Sequence, residues 1–187
     1  IWFFNTRLEK KIGDFTFKPR VYGNHWSHWH PVSGVINVAE DNLVIGTDLE
    51  LEHRHSLVGE DALAAGLTFR RDTSKGKKKF EYADVQTGFG GRISQTLSDR
   101  MGDELSDEDT YNTLMGFFFQ EALQPTSKWN IDVGLRVDRS AFHLIDHEDR
   151  EYSYATGTYV AGDGEMETYK NFTLWSPKIG ASYAVTK

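Results

Sequence analysis

The stretch Asn24-His25-Trp26-Ser27-His28-Trp29-His30-Pro31 gathers three histidines and two tryptophans. Neutral imidazole is the commonest protein donor to transition metals, so His25, His28 and His30 are candidate contacts for a metal or a metal-bearing substrate, with Trp29 beside them. In an extended chain Trp26, His28 and His30 share one face, and His25 and Trp29 share the other. Only His28 and His30 then reach one ion directly, so the metal assignment falls on that pair. Two readings stay open: contact with a metal chelate or haem-like substrate, and interfacial anchoring by Trp26 and Trp29 with wet loop histidines.

Other chemistry is thinner. The acidic run Asp99, Asp103, Glu104, Asp107, Glu108 and Asp109 offers hard oxygen donors. Loop-bound calcium is the one cofactor it suggests, but its spacing is not that of an EF-hand and favours a solvated loop. Asp132 and Asp138 could pair as acid and base, yet they read better as hydrophilic residues facing water. The glycine-rich TGFGGR at 87–92 lacks the Lys-Ser/Thr of a phosphate loop, and neither a nucleophile elbow nor an HExxH helix is present. Cysteine is absent, which removes thiol catalysis and thiolate metal sites. No residue is assigned a catalytic role, and the chain is not expected to be an enzyme.

The 187 residues carry a net charge of −7, with a pI near 5.5. That balance argues against nucleic acid as a partner. The one basic cluster, Lys75, Lys77, Lys78 and Lys79, sits among Gly and Ser and reads as loop. No run approaches the roughly 20 apolar residues of a membrane helix. A β-barrel span stays compatible with the mean hydropathy of −0.54, because only alternate residues of such strands face lipid. Ile1-Trp2-Phe3-Phe4 has no signal-peptide character, which suits either a cytoplasmic protein or a piece of a longer one.

The elements that must position these residues are strands. Trp129, Ile131, Val133, Leu135 and Val137 alternate with Asn130, Asp132, Gly134 and Arg136. Residues 43–53, 63–71 and 177–185 repeat the pattern, 113–123 is apolar on both faces, and 1–7 and 15–26 are weaker candidates. Gly134 and Gly180 suit close strand approach or curvature. Links alternate in length: 8–14, 55–62 and 124–128 are short, whereas 28–41, 73–112 and 141–172 are predicted to be long loops. Such loops are rare in compact soluble domains. Short turns on one side and long loops on the other describe an outer-membrane barrel, with a lectin or jelly roll as the soluble architecture that could imitate it.

Three segments, LAAGLTFRRDT (63–73), PTSKWNIDVGLRVDR (125–139) and WSPKIGASYAVT (175–186), resemble barrel segments of TonB-dependent outer-membrane receptors. The likeness covers about residues 43–187. It implies an all-β fold of antiparallel up-and-down strands, about seven or eight of the strands of a larger transmembrane barrel. It further implies long extracellular loops, short periplasmic turns, and interfacial aromatic residues at Trp26, Trp129 and Tyr183. Residues 1–187 would then be a partial barrel, with the plug and the remaining strands absent. The implied function is a share in active uptake of a scarce nutrient across the bacterial outer membrane, a ferric siderophore or other metal chelate above all. The implied partners are that chelate, TonB through an N-terminal region not in this chain, and outer-membrane lipid and lipopolysaccharide. The alternative is a soluble β-sandwich or jelly-roll ligand-binding module with long loops.

Overall fold

A computed structural model of the chain describes residues 1–32, 34–147, 150–153, 155–156, 158–162 and 164–185. Its strands are β1 (Trp2–Arg7), β2 (Lys10–Ile12), β3 (Phe15–Val32), β4 (Val35–His55), β5 (Asp61–Tyr82), β6 (Val85–Thr87), β7 (Ile93–Thr96), β8 (Met101–Thr126), β9 (Trp129–Asp146), β10 (Arg150–Ser153), β11 (Thr158–Ala161) and β12 (Met166–Tyr183). One sheet runs β1-β3-β4-β5-β8-β9-β12, with β2 beside the remainder of β3. Every pairing in it is antiparallel. The β6-β7 and β10-β11 pairs are separate two-stranded ribbons. The result is an up-and-down meander that forms part of a β-barrel.

β1 and β2 are one strand interrupted opposite Pro19. The Leu8 N–H donates to the Pro19 carbonyl at 3.0 Å, and proline has no N–H to return. The ladder therefore lapses at Leu8 and Glu9.

Register fixes what each face carries. The rung Leu49–Leu67–Phe117–Val137–Trp175 crosses five strands, and the next, Asp48–Thr68–Gly116–Asp138–Leu174, faces the other way. One face is thus an apolar band, with Ile45, Leu51, Phe69, Met115, Ile131 and Val133 in it. Its residues stay open to the surroundings: Leu67 and Met115 are each 54% exposed. Among the described residues no second sheet covers this band, as a sandwich would require. A large uncovered apolar face on a regular sheet is the signature of lipid contact. From Trp129 to Val137 the band is about 27 Å long at roughly 3.4 Å per residue, the right order for a tilted membrane strand.

The opposite face is a charged lattice. Lys18 is paired with Glu52 and, at 3.5 Å, with Glu50; Arg20 reaches Asp48 at 3.4 Å; Arg136 holds both oxygens of Asp138 at 2.7 Å. Glycines lie directly across from the large rings here. Tyr22 stands opposite Gly46 and Phe118 opposite Gly66, and a Cβ at either glycine would collide with the ring. Gly134 is also tight: a methyl added there would lie 3.0 Å from the Phe119 carbonyl. Gly180, expected to serve close approach or curvature, has only an ordinary contact at 3.9 Å.

The long loops predicted for 28–41, 73–112 and 141–172 are corrected in large part. β3 continues through Pro31 to Val32, where Val32 pairs Val35, and Gly34 ahead of β4 has φ +94°. β5 runs on to Tyr82 and β8 begins at Met101, while β9 reaches Asp146 and β12 begins at Met166. The strands therefore project past the apolar band as hydrogen-bonded stems. Ser33, Glu148, Asp149, Tyr154, Gly157 and Asp163 of those predicted loops, and Thr186 and Lys187, lie outside the described residues. Among the described residues the buried apolar side chains, Ile36, Ala39, Tyr82 and Leu105, belong to the stems. There the Tyr82 hydroxyl donates to the Val32 carbonyl at 2.8 Å.

Candidate functional site

Where β3, β4, β5 and β8 rise beyond the band, a cleft of about 420 Å³ opens. Trp26, His28 and His30 form one wall, as expected from strand alternation. The His28 and His30 rings lie 5.2 Å apart, and the Trp26 ring meets His28 edge-on at 5.8 Å. A bulge passes through this point: Trp26 pairs Asn42 and His28 pairs Ala39, so β4 supplies the extra residue and β3 keeps its alternation. Asn42 holds the bulge from beneath. Its amide donates to the Trp26 carbonyl at 3.1 Å and the Ala39 carbonyl at 3.4 Å, and its oxygen accepts from the Ser74 hydroxyl at 2.5 Å.

The far wall is basic. Lys77 and Lys79 line it together with Glu108, and Lys77 is paired with Glu108 at 2.7 Å. Lys78, next to them, binds Glu104 at 3.0 Å and Asp107 at 3.1 Å. Hydrogen bonds donated to those two carboxylates raise the pKa of its ammonium above the ordinary lysine value, against the lowering effect of burial. Higher on the stems His147 sits between Glu165, 3.1 Å, and Asp109, 3.6 Å. Burial alone would lower its pKa, but the two carboxylates outweigh it and the net direction is up.

The histidine cluster is divided. His25 lies outside the cleft, bound to Asp41 at 2.9 Å and stacked on Trp2 with ring centres 6.0 Å apart. Trp29 does not line the cleft and is exposed. Trp26, placed by sequence in the interfacial belt, stands on the polar face beside His28. Trp129 and Tyr183 do lie on the apolar face near the short turns, their rings 5.0 Å apart. Among the described residues no group of three or more His, Asp or Glu is arranged to hold a metal ion.

By sequence, Lys75–Lys79 and the acidic run read as separate solvated loops. Lys75–Lys79 and Asp103–Asp109 are facing strands of one stem, with Asp99 ahead of β8, and Asp103 is reached by Arg150 at 3.3 Å. The available signal was their opposite charge. Asp132 and Asp138, weighed as a pair, are engaged separately: Asp138 by Arg136, and Asp132 by the Gln120 amide at 3.4 Å.

The family model described as TonB dependent receptor-like, beta-barrel, matches residues 4–187. No curated protein matches the chain.

Proposed function

The chain belongs to the TonB-dependent receptor-like β-barrel family, and from that premise we propose that it forms barrel wall in an outer-membrane receptor for a metal chelate, a ferric siderophore foremost. Transport across the outer membrane is the work of this family, with TonB and a small-molecule substrate as partners. On this reading residues 1–187 are wall, and the plug and TonB-contacting segment belong to other parts of the receptor.

The cleft of Trp26, His28, His30, Lys77 and Lys79 supports the chelate reading. Two imidazoles alone cannot complete the four to six donors a first-row metal requires. A chelate brings its own donors. Its outer surface, apolar rings and anionic oxygens, would find an indole edge, two imidazoles and two ammonium groups here.

The test is tryptophan-fluorescence titration of the full-length receptor in detergent with ferric catecholate, hydroxamate and citrate-type chelates. A His28→Ala, His30→Ala variant is expected to weaken binding of at least one chelate by roughly tenfold or more, since each lost contact to a charged ligand is worth that order. Identical titration curves for both proteins across the panel would end this reading.

A further inference from the structure

The histidines and lysines of the cleft share a face only because two adjacent strands each carry one extra residue. Successive rungs there are Trp26–Asn42–Ser74–Thr110–Leu144 and His28–Ala39–Lys77–Glu108–Asp146. Between them β3, β8 and β9 advance by two residues, as regular alternation requires, whereas β4 and β5 advance by three. The added residue reverses the facing of β5. Without it Gly76, Lys78 and Phe80 would follow Ser74 on the cleft side, and Lys77 and Lys79 would point away. With it Lys77 pairs Ala39 and Lys79 pairs Asn37, the partners of His28 and His30, so both lysines stand on the histidines' side. Lys77 is engaged by Glu108. Lys79 has no carboxylate within salt-bridge distance among the described residues, so it is the cation left for a ligand.

A bulge leaves backbone groups outside the ladder, and they need another partner. At Gly76 that partner comes from β8: Oδ1 of Asp109 accepts the Gly76 N–H at 2.9 Å. Oδ2 of Asp109 accepts from the Tyr111 hydroxyl at 3.3 Å and lies 3.6 Å from His147 Nε2, so the carboxylate is oriented from both ends. Gly76 itself has φ +60°, and a Cβ there would lie 3.2 Å from a Glu40 carboxylate oxygen. Glycine is the residue such a turn of the chain accepts.

We propose that Asp109 is a positioning residue for the cleft: by pinning the Gly76 bulge it turns Lys77 and Lys79 toward the histidines, and so gives the site its preference for an anionic ligand. The proposal rests on the cleft being the ligand site. Pin and charge act in opposite directions here. By Coulomb's law alone, removing an acid close to a basic wall strengthens anion binding. Loss of the pin weakens it.

The experiment titrates full-length receptor in detergent with an anionic ferric tris-catecholate and an uncharged ferric tris-hydroxamate. Asp109→Ala is expected to weaken the tris-catecholate roughly fivefold, the order of one exposed ion contact, and to leave the tris-hydroxamate unchanged. Asp109→Asn keeps an oxygen that accepts the Gly76 N–H and should bind the anion at least as tightly as wild type. In a Lys77→Gln, Lys79→Gln background Asp109→Ala should have no further effect, because the cations it positions are gone.

An Asp109→Ala receptor that binds the tris-catecholate as well as wild type, loses both chelates equally, or shows the same loss without the lysines would overturn the proposal. Hydrogen exchange keeps it distinct from the chelate reading. Exchange of the peptide spanning Gly76 should quicken in Asp109→Ala and not in Asp109→Asn, whether or not a chelate binds, and an unchanged rate in both overturns the pin. A receptor weakened by His28→Ala with His30→Ala but not by Asp109→Ala refutes the positioning role only.

Discussion

Glycine does specific work on the polar face. At Gly66 an added methyl would come within 2.7 Å of the Leu49 carbonyl and overlap the Phe118 ring. Both neighbours are held by ladder pairing, so neither can retreat cheaply. Gly66→Ala should therefore destabilise the barrel by about 1–3 kcal/mol, the usual cost of overpacking. Urea unfolding of the full-length receptor in detergent, followed by tryptophan emission, would show the midpoint fall. An unchanged midpoint would mean that the ring moves freely and that the glycine is incidental. The sequence displayed Gly66 only as a small residue in an alternating strand; its partner Phe118 is 52 positions away and needed the register to find it.

At the level of elements, the turn 56–60 and the far end of β8 are joined by one carboxylate. Asp61, 3% exposed, accepts from the N–H groups of Leu57 at 2.7 Å and Val58 at 2.8 Å in the turn before it, and from Gln124 at 3.0 Å near the end of β8. The Val58 N–H contributes most to holding this acid below its ordinary pKa, and Gln124, Leu57 and Gly59 add to it against the opposing effect of burial. A lowered native pKa means that the stabilisation is present above the unfolded value of about 4 and is lost as pH falls through the native one. Asp61→Asn should lower the melting temperature at pH 7, and the gap from wild type should close as pH drops below about 4. A gap that stays constant with pH would show that shape, not charge, is what the turn requires.

Legibility from sequence also divides by element. Membrane strands such as 43–53 and 129–137 were readable because one face meets hydrocarbon and the other water, which imposes period two. The stems were not readable, because charged residues fall on both of their faces and the alternation vanishes just where β5 and β8 continue to Tyr82 and from Met101. Composition there, rich in Lys, Asp and Gly, matches that of a loop. Of the cleft, the His28 and His30 side was legible because β3 stayed regular, whereas Asn42, Ser74 and Lys77 come from strands that no local motif connects to it. Trp26 was misplaced for a related reason: aromatic residues serve the interface and the lumen alike, and only pairing with Asn42 decides.

For the whole molecule, the membrane reading turns on which face is wet. Leu67 and Thr68 are adjacent in sequence, pair Phe117 and Gly116 respectively, and face opposite ways. Leu67→Arg puts a charge at the middle of the apolar band and should cost about 2–4 kcal/mol of folding stability in lipid. Thr68→Arg should cost little, since it joins Arg70, Arg136 and their aspartates. Folding into phospholipid vesicles, scored by heat-modifiable migration, compares the two directly. Equal tolerance of both substitutions would be inconsistent with a lipid-facing band.

The length of β8 has a thermodynamic consequence. Its 26 residues extend over roughly 85 Å, of which a membrane strand needs about 11 residues. The remainder stands outside the bilayer already hydrogen-bonded, to β5 from Met101 onward and to β9 from Glu108 onward. Freezing a residue's backbone costs about 1–2 kcal/mol, and a floppy loop incurs that cost when its ligand arrives. A ribbon incurs it on folding. A ligand settling between His28 and Lys77 thus meets walls whose conformational freedom is already spent, and its affinity need not be diluted by ordering them.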